Sequence, residues 1–366
     1  MLDFGYPLRE SEMEIAPMLW RIGLSQPIPW WRKLWAAQRM AALEADMARL
    51  AYETALLETI AQTKESYYEL YYLDRAIPIA AKAEEIFRNQ ATLAYGELSA
   101  GRSELNEAFR AESQAAQLEY DRLLLGEQRF AQAEGFKALL NLPSGARVGP
   151  IRSAPAYPVS PSFEELAARA ERYARELQSM GLDARRAAYE SYLARLARIP
   201  DLTLGLDLAK MGEMTPGFMD MFESKGKNPI EGAIGLELPI WEWRNRALER
   251  EKEALREAME REAMGETNRL RAAVAAAWYR VRLAERLVAL YENTLLPQAD
   301  AAMRQAEAQY RAQLASLATV LESTLAWQNF QLALERARAD RGQALVALER
   351  AIGTTAEARP AEEARP

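Results

Sequence analysis

One short motif occurs twice in this chain, as IGLSQPIPWWR at residues 22–32 and as IGLELPIWEWR at residues 234–244. Seven of the eleven positions are identical, and 212 residues separate the two copies. The same offset aligns Leu43 with Leu255, so the correspondence continues beyond the motif. We interpret this as a tandem duplication, in which each copy marks the passage from an extended strand into a helix.

The residues around each copy alternate with a period of two, which is typical of β-strands. In PDLTLGLDL at residues 200–208, leucines alternate with polar or small residues, and residues 233–240, 18–25 and 1–8 show the same pattern. We therefore predict four strands in two hairpins, each strand long enough to span a bilayer when tilted. A small soluble sheet covered by helices is the alternative.

Long helices account for most of the remaining chain. A helix of about 65 residues is roughly 100 Å long at 1.5 Å per residue, which exceeds a globular domain and predicts a coiled coil or a helical barrel. Each long helix contains one proline, Pro78 or Pro297, which should kink or locally break it. The apolar stripes with 4-3 spacing are Leu43, Met47, Leu50, Thr54, Leu57 and Ala61 in the first long helix, and Leu270, Val274, Ala277, Val281, Ala284 and Val288 in the second.

These elements divide the chain into two repeats that are joined by a linker. The linker is rich in proline and glycine, and the C-terminal tail has the composition of a disordered segment. The predicted parts are a first repeat at 1–142 (hairpin 1–29, helices 30–141), a linker at 143–161, a second repeat at 162–353 (helix 162–198, hairpin 200–240, helices 241–352), and a disordered tail at 354–366.

Composition excludes several classes of function. The chain has no cysteine and no histidine, which removes thiolate and imidazole metal sites and the usual nucleophile and base pairs. Its net charge of −7 disfavours nucleic acid as a partner. The chain contains no run of 18 apolar residues, so the sequence predicts no transmembrane helix. We predict no cofactor and no enzymatic activity.

Three segments resemble the TolC-like outer membrane efflux protein family. GLSQPIPWWRKL at residues 23–34 is similar to the strand-to-helix signature of the family's heavy-metal and cation branch. The segments LAYGELSAGRSELNEA (93–108) and AQYRAQLASLATVLES (308–323) resemble its two helix-turn-helix tips. The expected fold is therefore mainly α with a transmembrane β part.

The resemblance also implies an assembly and its partners. Three copies would close a 12-stranded outer-membrane β-barrel, surrounded by outer-membrane lipid and continued by a helical barrel across the periplasm. A periplasmic membrane-fusion adaptor and an inner-membrane transporter would dock to this homotrimer. The expected residues for adaptor docking and tunnel gating at the tips are Leu98, Ser99, Ala100, Gly101, Arg102, Gln313, Leu314, Ala315, Ser316 and Leu317.

Three further groups of residues follow from this arrangement. Tryptophans at both strand-to-helix passages predict an aromatic belt at the membrane interface: Trp30, Trp31, Trp35, Trp241 and Trp243. Charges on the polar faces of the strands would face the barrel lumen, or would be merely solvated: Arg21, Asp207 and Glu237. Four methionines in the loop after the third strand are weak candidates for binding a soft metal ion through their thioethers. The alternative is that they are flexible apolar filler. They are Met211, Met214, Met219 and Met221.

The expected function is a passive outer-membrane exit duct for metal cations or small toxic compounds. A type I protein secretion duct is an alternative within the family, and a soluble coiled-coil scaffold is an alternative from another class. The counterpart of helix 162–198 would lie before Met1, and residues 1–30 have no export signal. We therefore expect the chain to be truncated at its N-terminus.

Overall fold

The computed structural model describes residues 2–5, 18–99, 105–143, 145–211 and 230–356. None of the helices in these ranges combines the length and the apolar character needed to cross a membrane. In chain order the elements are β1 (Leu2–Gly5), β2 (Met18–Ile28), α1 (Trp31–Ser99), α2 (Leu105–Leu139), α3 (Phe163–Tyr173), α4 (Arg175–Leu196), β3 (Asp201–Met211), β4 (Ile230–Glu237), α5 (Glu242–Leu290), a π-helical turn (Tyr291–Leu295), α6 (Leu296–Arg311) and α7 (Leu317–Ile352).

The chain folds into two compact units, each built from two separate segments. The first unit combines Met1–Arg49 with Ser179–Met264, and the second combines Leu50–Gln178 with Gly265–Pro366. The predicted division at 142 and 162 does not coincide with these units, because strands from both predicted repeats pair within one sheet. The compact units are defined by contacts between residues, and the division of the sequence into two repeats stays a prediction.

The four strands form a single antiparallel sheet in the order β1-β2-β3-β4. The central pair joins the two predicted hairpins, with Ile22 opposite Leu208 and Leu24 opposite Leu206. One irregularity occurs in β2 between Met18 and Trp20. The sheet therefore confirms the four strands and their period-two alternation, and adds the pairing of β2 with β3.

The core of the second unit follows the predicted stripe of α5. Val274 and Val281 are fully buried and pack with Leu348 and Ile352 of α7. Ala277, Ala284 and Val288 are also buried. The predicted stripe of α1 is covered less completely, because only Ala61 is buried and the other five positions are half-buried.

The predicted helix 162–198 is present as two helices that meet at Ala174. The backbone of Ala174 is extended (φ −64, ψ 120), and Ser162 caps α3 together with Glu165 in a capping box. Beyond the break, Arg175 Nη1 donates to the carbonyl of Gly353 at 2.9 Å. Gly353 ends α7 at φ 69, a conformation that favours glycine. The continuous helix was thus a wrong prediction, because the chain breaks where it meets the end of α7.

The described residues of the predicted linker, 143 and 145–161, lie outside the helices and strands, and hydrogen bonds hold this segment to α1. Tyr67 and Tyr68 donate their hydroxyls to the carbonyls of Ser153 (3.0 Å) and Pro155 (2.6 Å). The linker is thus fixed to α1 by polar contacts.

The predicted disordered tail is partly ordered. Ala356 is fully buried against the core of the second unit, whereas Thr355 is exposed. Residues 357–366 lie outside the described ranges. The expectation failed at Ala356 because a small apolar side chain there fits the core beside Ile352.

The two helix prolines have different surroundings. A π-helical turn, Tyr291–Leu295, ends two residues before Pro297 and forms the local break predicted there. At Pro78 helix α1 continues without interruption from Trp31 to Ser99.

Candidate channel surfaces

The sheet of the first unit presents an apolar face that the described chain leaves exposed. Side chains alternate along a strand, so the even-numbered residues of β2, β3 and β4 share this face. Ile234 is 79% exposed. An apolar surface of this kind favours contact with lipid over contact with water. Its large side chains are Ile22, Leu24, Ile28, Leu202, Leu204, Leu206, Leu208, Ile230, Ile234 and Leu236.

The opposite face of the sheet carries the predicted lumen charges. Arg21 and Asp207 form an ion pair across β2 and β3, with Nη2 and Oδ1 3.0 Å apart. Gly23 makes room for this pair, because a Cβ at that position would lie 2.4 Å from Oδ1 of Asp207. Glu237 lies on the same face, opposite Asp201 in the register. The structure therefore brings Arg21 and Asp207 together and leaves Glu237 at the helix end of the sheet.

The five tryptophans of the predicted belt lie where strands meet helices. Trp30 and Trp31 flank the start of α1, and Trp241 and Trp243 flank the start of α5. All are exposed, with Trp243 72% exposed. Trp241 and Trp243 pack edge to face at 6.0 Å between ring centroids. Trp35 differs from the others, because its ring packs against tyrosines of α4 at 5.6 Å and 6.5 Å.

An ion pair at the base of the sheet joins the first residue of β3 to the first turn of α1. Lys33 Nζ lies 2.8 Å from Oδ2 of Asp201 and donates to the carbonyl of Ile199 at 2.8 Å. The amide of Trp30 donates to the same carboxylate at 3.1 Å. Sequence reasoning missed this contact, because 168 residues separate the two partners.

The tip after α6 is described fully and the tip after α1 only in part. Gln313 has φ 58 and forms the left-handed position of the turn, and Leu314 is 80% exposed. Ser316 caps α7 by accepting the amide of Thr319. Leu317 is fully buried, so its side chain supports the tip and is not available for docking. Leu98 and Ser99 end α1, whereas Ala100, Gly101 and Arg102 lie outside the described residues.

A hydrogen bond connects the ends of α1 and α6, which belong to different helical hairpins. Tyr310 donates its hydroxyl to Oε2 of Glu97 at 2.8 Å. Burial and this hydrogen bond raise the pKa of Tyr310 to about 12. Phe87, Leu317 and Val320 form the core beneath the contact. The tip motif AQYR contained Tyr310, but the sequence did not indicate its partner.

The methionine loop contributes no observable site. Met211 ends β3, and Met214, Met219 and Met221 lie outside the described residues. Within the described ranges, no group of three acidic side chains is placed to hold a metal ion.

A family model described as outer membrane efflux protein matches residues 166–354 of the chain. This match covers more than half of the chain and extends from α3 to the end of α7. The chain belongs to the outer membrane efflux protein family. A search of the curated proteins finds no match.

Solved structures show the same fold over almost the whole chain. The outer membrane protein VceC from Vibrio cholerae aligns with a TM-score of 0.79 and 18% identity, over 98% of this chain and 87% of VceC. The outer-membrane channel OprN aligns with a TM-score of 0.79 and 14% identity, over 97% of this chain and 80% of OprN. CusC aligns with a TM-score of 0.75 and 15% identity, over 97% of this chain and 82% of CusC. At these identities the likeness establishes the fold.

Family membership confirms several predictions. The chain is an outer membrane efflux channel protein and not an enzyme, and its location is the outer membrane. The channel interpretation therefore replaces the alternative of a soluble coiled-coil scaffold.

Proposed function

We propose that the chain is one protomer of a homotrimeric outer-membrane channel, the passive exit duct of a tripartite efflux system. One observation carries this proposal: among the described residues, both edges of the sheet are open. All eight residues of β4 are exposed and pair only with β3, and β1 pairs only with β2. Lipid cannot satisfy open strand edges, so other chains must pair with them. Three copies would supply twelve strands and close a barrel.

The strand-to-helix passages support a tandem duplication as the origin of this architecture. Two residues separate the end of β2 at Ile28 from the start of α1 at Trp31, and α5 begins at Glu242. The sequence offset of 212 residues places the start of the second helix at Trp243, one residue from the observed start. Both repeats would therefore enter and leave the barrel in the same manner.

The polar face of the sheet favours cations as the exported species. Arg21 is paired with Asp207, and Lys33 with Asp201. Glu231 and Glu237 share this face and have no ion-pair partner among the described residues. Two uncompensated carboxylates in each protomer would give the lumen a negative potential, which attracts cations. We therefore propose metal cations or small toxic cationic compounds as substrates.

The groove between α1 and α2 near their tip is the proposed docking surface for the periplasmic adaptor. Small side chains line its floor, and the ion pair between Arg88 and Glu119 (2.7 Å) borders it. A groove floored by alanines allows the backbone of another helix to approach closely. The floor residues are Ala91, Thr92, Ala115 and Ala116. The adaptor would link the channel to an inner-membrane transporter that supplies the energy.

Planar bilayer recording tests the channel. The purified protein should have the detergent-corrected mass of a trimer and conduct with cation preference, read as a reversal potential in a KCl gradient. The double variant E231Q/E237Q should lose most of this preference while keeping its mass and its insertion. A monomeric mass, or a preference that is unchanged in this variant, would contradict the proposal.

Cellular efflux tests the docking surface. Ala116→Trp should abolish export of ethidium and of Ni²⁺ from cells while the trimer remains in the outer membrane. Ala131→Trp is the matched control, since Ala131 is an exposed alanine about four turns further along α2. Ala315→Trp at the second tip should resemble Ala116→Trp. Normal export in both variants would exclude these tips as docking sites.

A further inference from the structure

A positively charged cleft lies between the end of α4 and the start of α5, within the first unit. Its volume is about 320 Å³. Four arginines and two glutamates line it, so the lining carries a net charge of +2. The lining residues are Arg195, Arg198, Arg246, Glu249, Arg250 and Glu253.

The two glutamates of the cleft are already bound by neighbouring side chains. Glu249 accepts a hydrogen bond from Nη2 of Arg198 at 2.6 Å, and Glu253 accepts one from Nη2 of Arg195 at 3.1 Å. Ser191 donates to the same Glu253 oxygen at 2.7 Å. The two carboxylates therefore compensate Arg195 and Arg198, and the remaining positive charge of the cleft lies on the arginines of α5.

The arginines on α5 supply the excess charge. Arg246 pairs with Glu242 one turn earlier at 2.6 Å, and its side chain remains 59% exposed. Arg250 is exposed and has no ion-pair partner among the described residues. Guanidinium groups bind phosphate oxygens through two parallel hydrogen bonds, which suits them to phosphate recognition.

The cleft directly follows the exposed tryptophans. Arg246 is three residues beyond Trp243, or about 4.5 Å along the helix, and Arg250 is about 10 Å beyond it. Lipid headgroups occupy about 5–8 Å on each side of the hydrocarbon core. If the tryptophans mark the membrane boundary, as the proposed function requires, Arg246 lies close to the level of the headgroups and Arg250 lies just beyond them on the periplasmic side.

We propose that this cleft binds the phosphate of an anionic phospholipid in the leaflet that faces the periplasm. The inference rests on the proposed function, because it uses the membrane position of the tryptophans. The α5 arginines of the cleft follow the exposed Trp241 and Trp243 along the helix, so a lipid whose acyl chains lie along the sheet would place its headgroup between Arg246 and Arg250. Bound lipid would fix the depth of the barrel in the membrane.

Native mass spectrometry of the detergent-purified protein tests this site. Phosphatidylglycerol should bind, and phosphatidylcholine with the same acyl chains should bind much more weakly. Because each arginine near an anionic surface contributes about fivefold to binding, Arg250→Gln should weaken phosphatidylglycerol binding about fivefold and R246Q/R250Q about thirtyfold. Both variants should retain the trimer mass and the conductance of the unaltered channel.

Arg261 provides a matched control on the same helix. It is exposed and lies eleven residues after Arg250, which is three turns further along and on the same side. Arg261→Gln should leave lipid binding unchanged. An equal loss of phosphatidylglycerol binding in Arg261→Gln and Arg250→Gln would indicate general charge attraction and would overturn the site. Unchanged lipid binding in R246Q/R250Q would also overturn it. Displacement of the lipid by inorganic phosphate at equal concentration would show a site for free phosphate and would also overturn the proposal. A channel that conducts but does not bind the lipid would leave the proposed function standing.

Discussion

Lys33 and Asp201 form an ion pair that joins the start of α1 to the start of β3, with Nζ 2.8 Å from Oδ2. Both side chains are mostly shielded from solvent, with 17% and 27% of their surfaces exposed. Asp201 also accepts the backbone amide of Trp30, so one carboxylate fixes the end of the first strand-to-helix passage. The pair thus holds together two elements from different predicted repeats.

Replacing Lys33 by methionine should weaken this junction. The change removes the partner of a partly buried carboxylate, which we expect to cost about 1–3 kcal/mol. The measurement is the temperature at which the assembled protein loses its folded mobility in a gel. Arg32→Met is the control, because Arg32 is exposed and contacts the ring of Trp31 at 5.2 Å. Equal shifts for the two variants would contradict a specific role for Lys33.

A charge on the apolar face of the sheet should block membrane assembly. Leu204 lies on this face opposite Ile234, whereas its neighbour Thr203 lies on the polar face opposite Gly235. Leu204→Lys would place an ammonium group in lipid at a cost of about 2–4 kcal/mol, and Thr203→Lys would place it in water. Fractionation of cells expressing each variant measures the outcome. Membrane insertion of both variants would refute the assigned faces.

The sequence predicted the regular elements well, because their signals are local. Period-two alternation identified β3, and the 4-3 spacing of valines and alanines identified the buried side of α5. The break at Ala174 was not predictable, because nothing in its neighbouring residues ends a helix. It depends on the contact of Arg175 with Gly353, which lies 178 residues away.

The candidate site was predictable by position but not by contacts. Arg21 and Asp207 were placed on the polar face from alternation alone, and the structure adds that they pair. Their pairing depends on the register between β2 and β3, which no local pattern specifies. The contact between Tyr310 and Glu97 was missed for the same reason, since the partners come from different hairpins.

Gly342 of α7 should not tolerate a larger residue. A Cβ at this position would lie 2.2 Å from Cε1 of Tyr68, whose hydroxyl holds the linker at Pro155. We expect Gly342→Ala to destabilise the second unit by about 1–3 kcal/mol through overpacking. Urea denaturation followed by circular dichroism measures this loss.

Gly126 of α2 supplies the opposite case and serves as the control for Gly342. It is exposed, and nothing lies within 4 Å of a Cβ placed there. Gly126→Ala should therefore stabilise the protein by about 0.5–1 kcal/mol, because alanine restricts the unfolded chain more than glycine does. If Gly342→Ala were stabilising to the same degree, the ring of Tyr68 would have to move aside without loss.

The contact between α4 and α5 should depend on pH through Glu253. Hydrogen bonds from Arg256 and Ser191 lower the pKa of this carboxyl from 4.5 to about 2. A lowered pKa means that the folded chain favours the ionised form, so the stabilisation is complete above pH 4.5 and is lost as pH falls towards 2. Glu253→Gln should therefore be less stable than the unaltered protein at neutral pH, and the difference should disappear near pH 2.

Urea midpoints at neutral pH and near pH 2 measure this convergence. Glu257→Gln is the control, because Glu257 is exposed one turn further along α5. The urea midpoint of Glu257→Gln should differ from that of the unaltered protein by the same small amount at both pH values. A stability difference for Glu253→Gln that persisted near pH 2 would contradict the assigned role of the carboxylate.

Tyr310 and Glu97 should hold the closed state of the tunnel, because their hydrogen bond of 2.8 Å joins the ends of two different hairpins. The pKa of Tyr310 is about 12, so its hydroxyl is protonated and donates throughout the neutral range. Tyr310→Phe keeps the packed ring and removes this bond to a charged acceptor, which contributes about 1.5–3 kcal/mol. We expect the variant to be open for a larger fraction of the time in planar bilayers.

Tyr95 provides the control that separates gating from a general loosening of the tip. Its hydroxyl also binds a glutamate, Glu112, but this contact stays within the single hairpin of α1 and α2. Tyr95→Phe should therefore leave the open fraction unchanged, even though it removes a bond of the same type at a similar distance from the tip. The decisive quantity is the ratio of the two effects. If Tyr95→Phe opened the channel as much as Tyr310→Phe, or if neither did, the contact between hairpins would not be the gate.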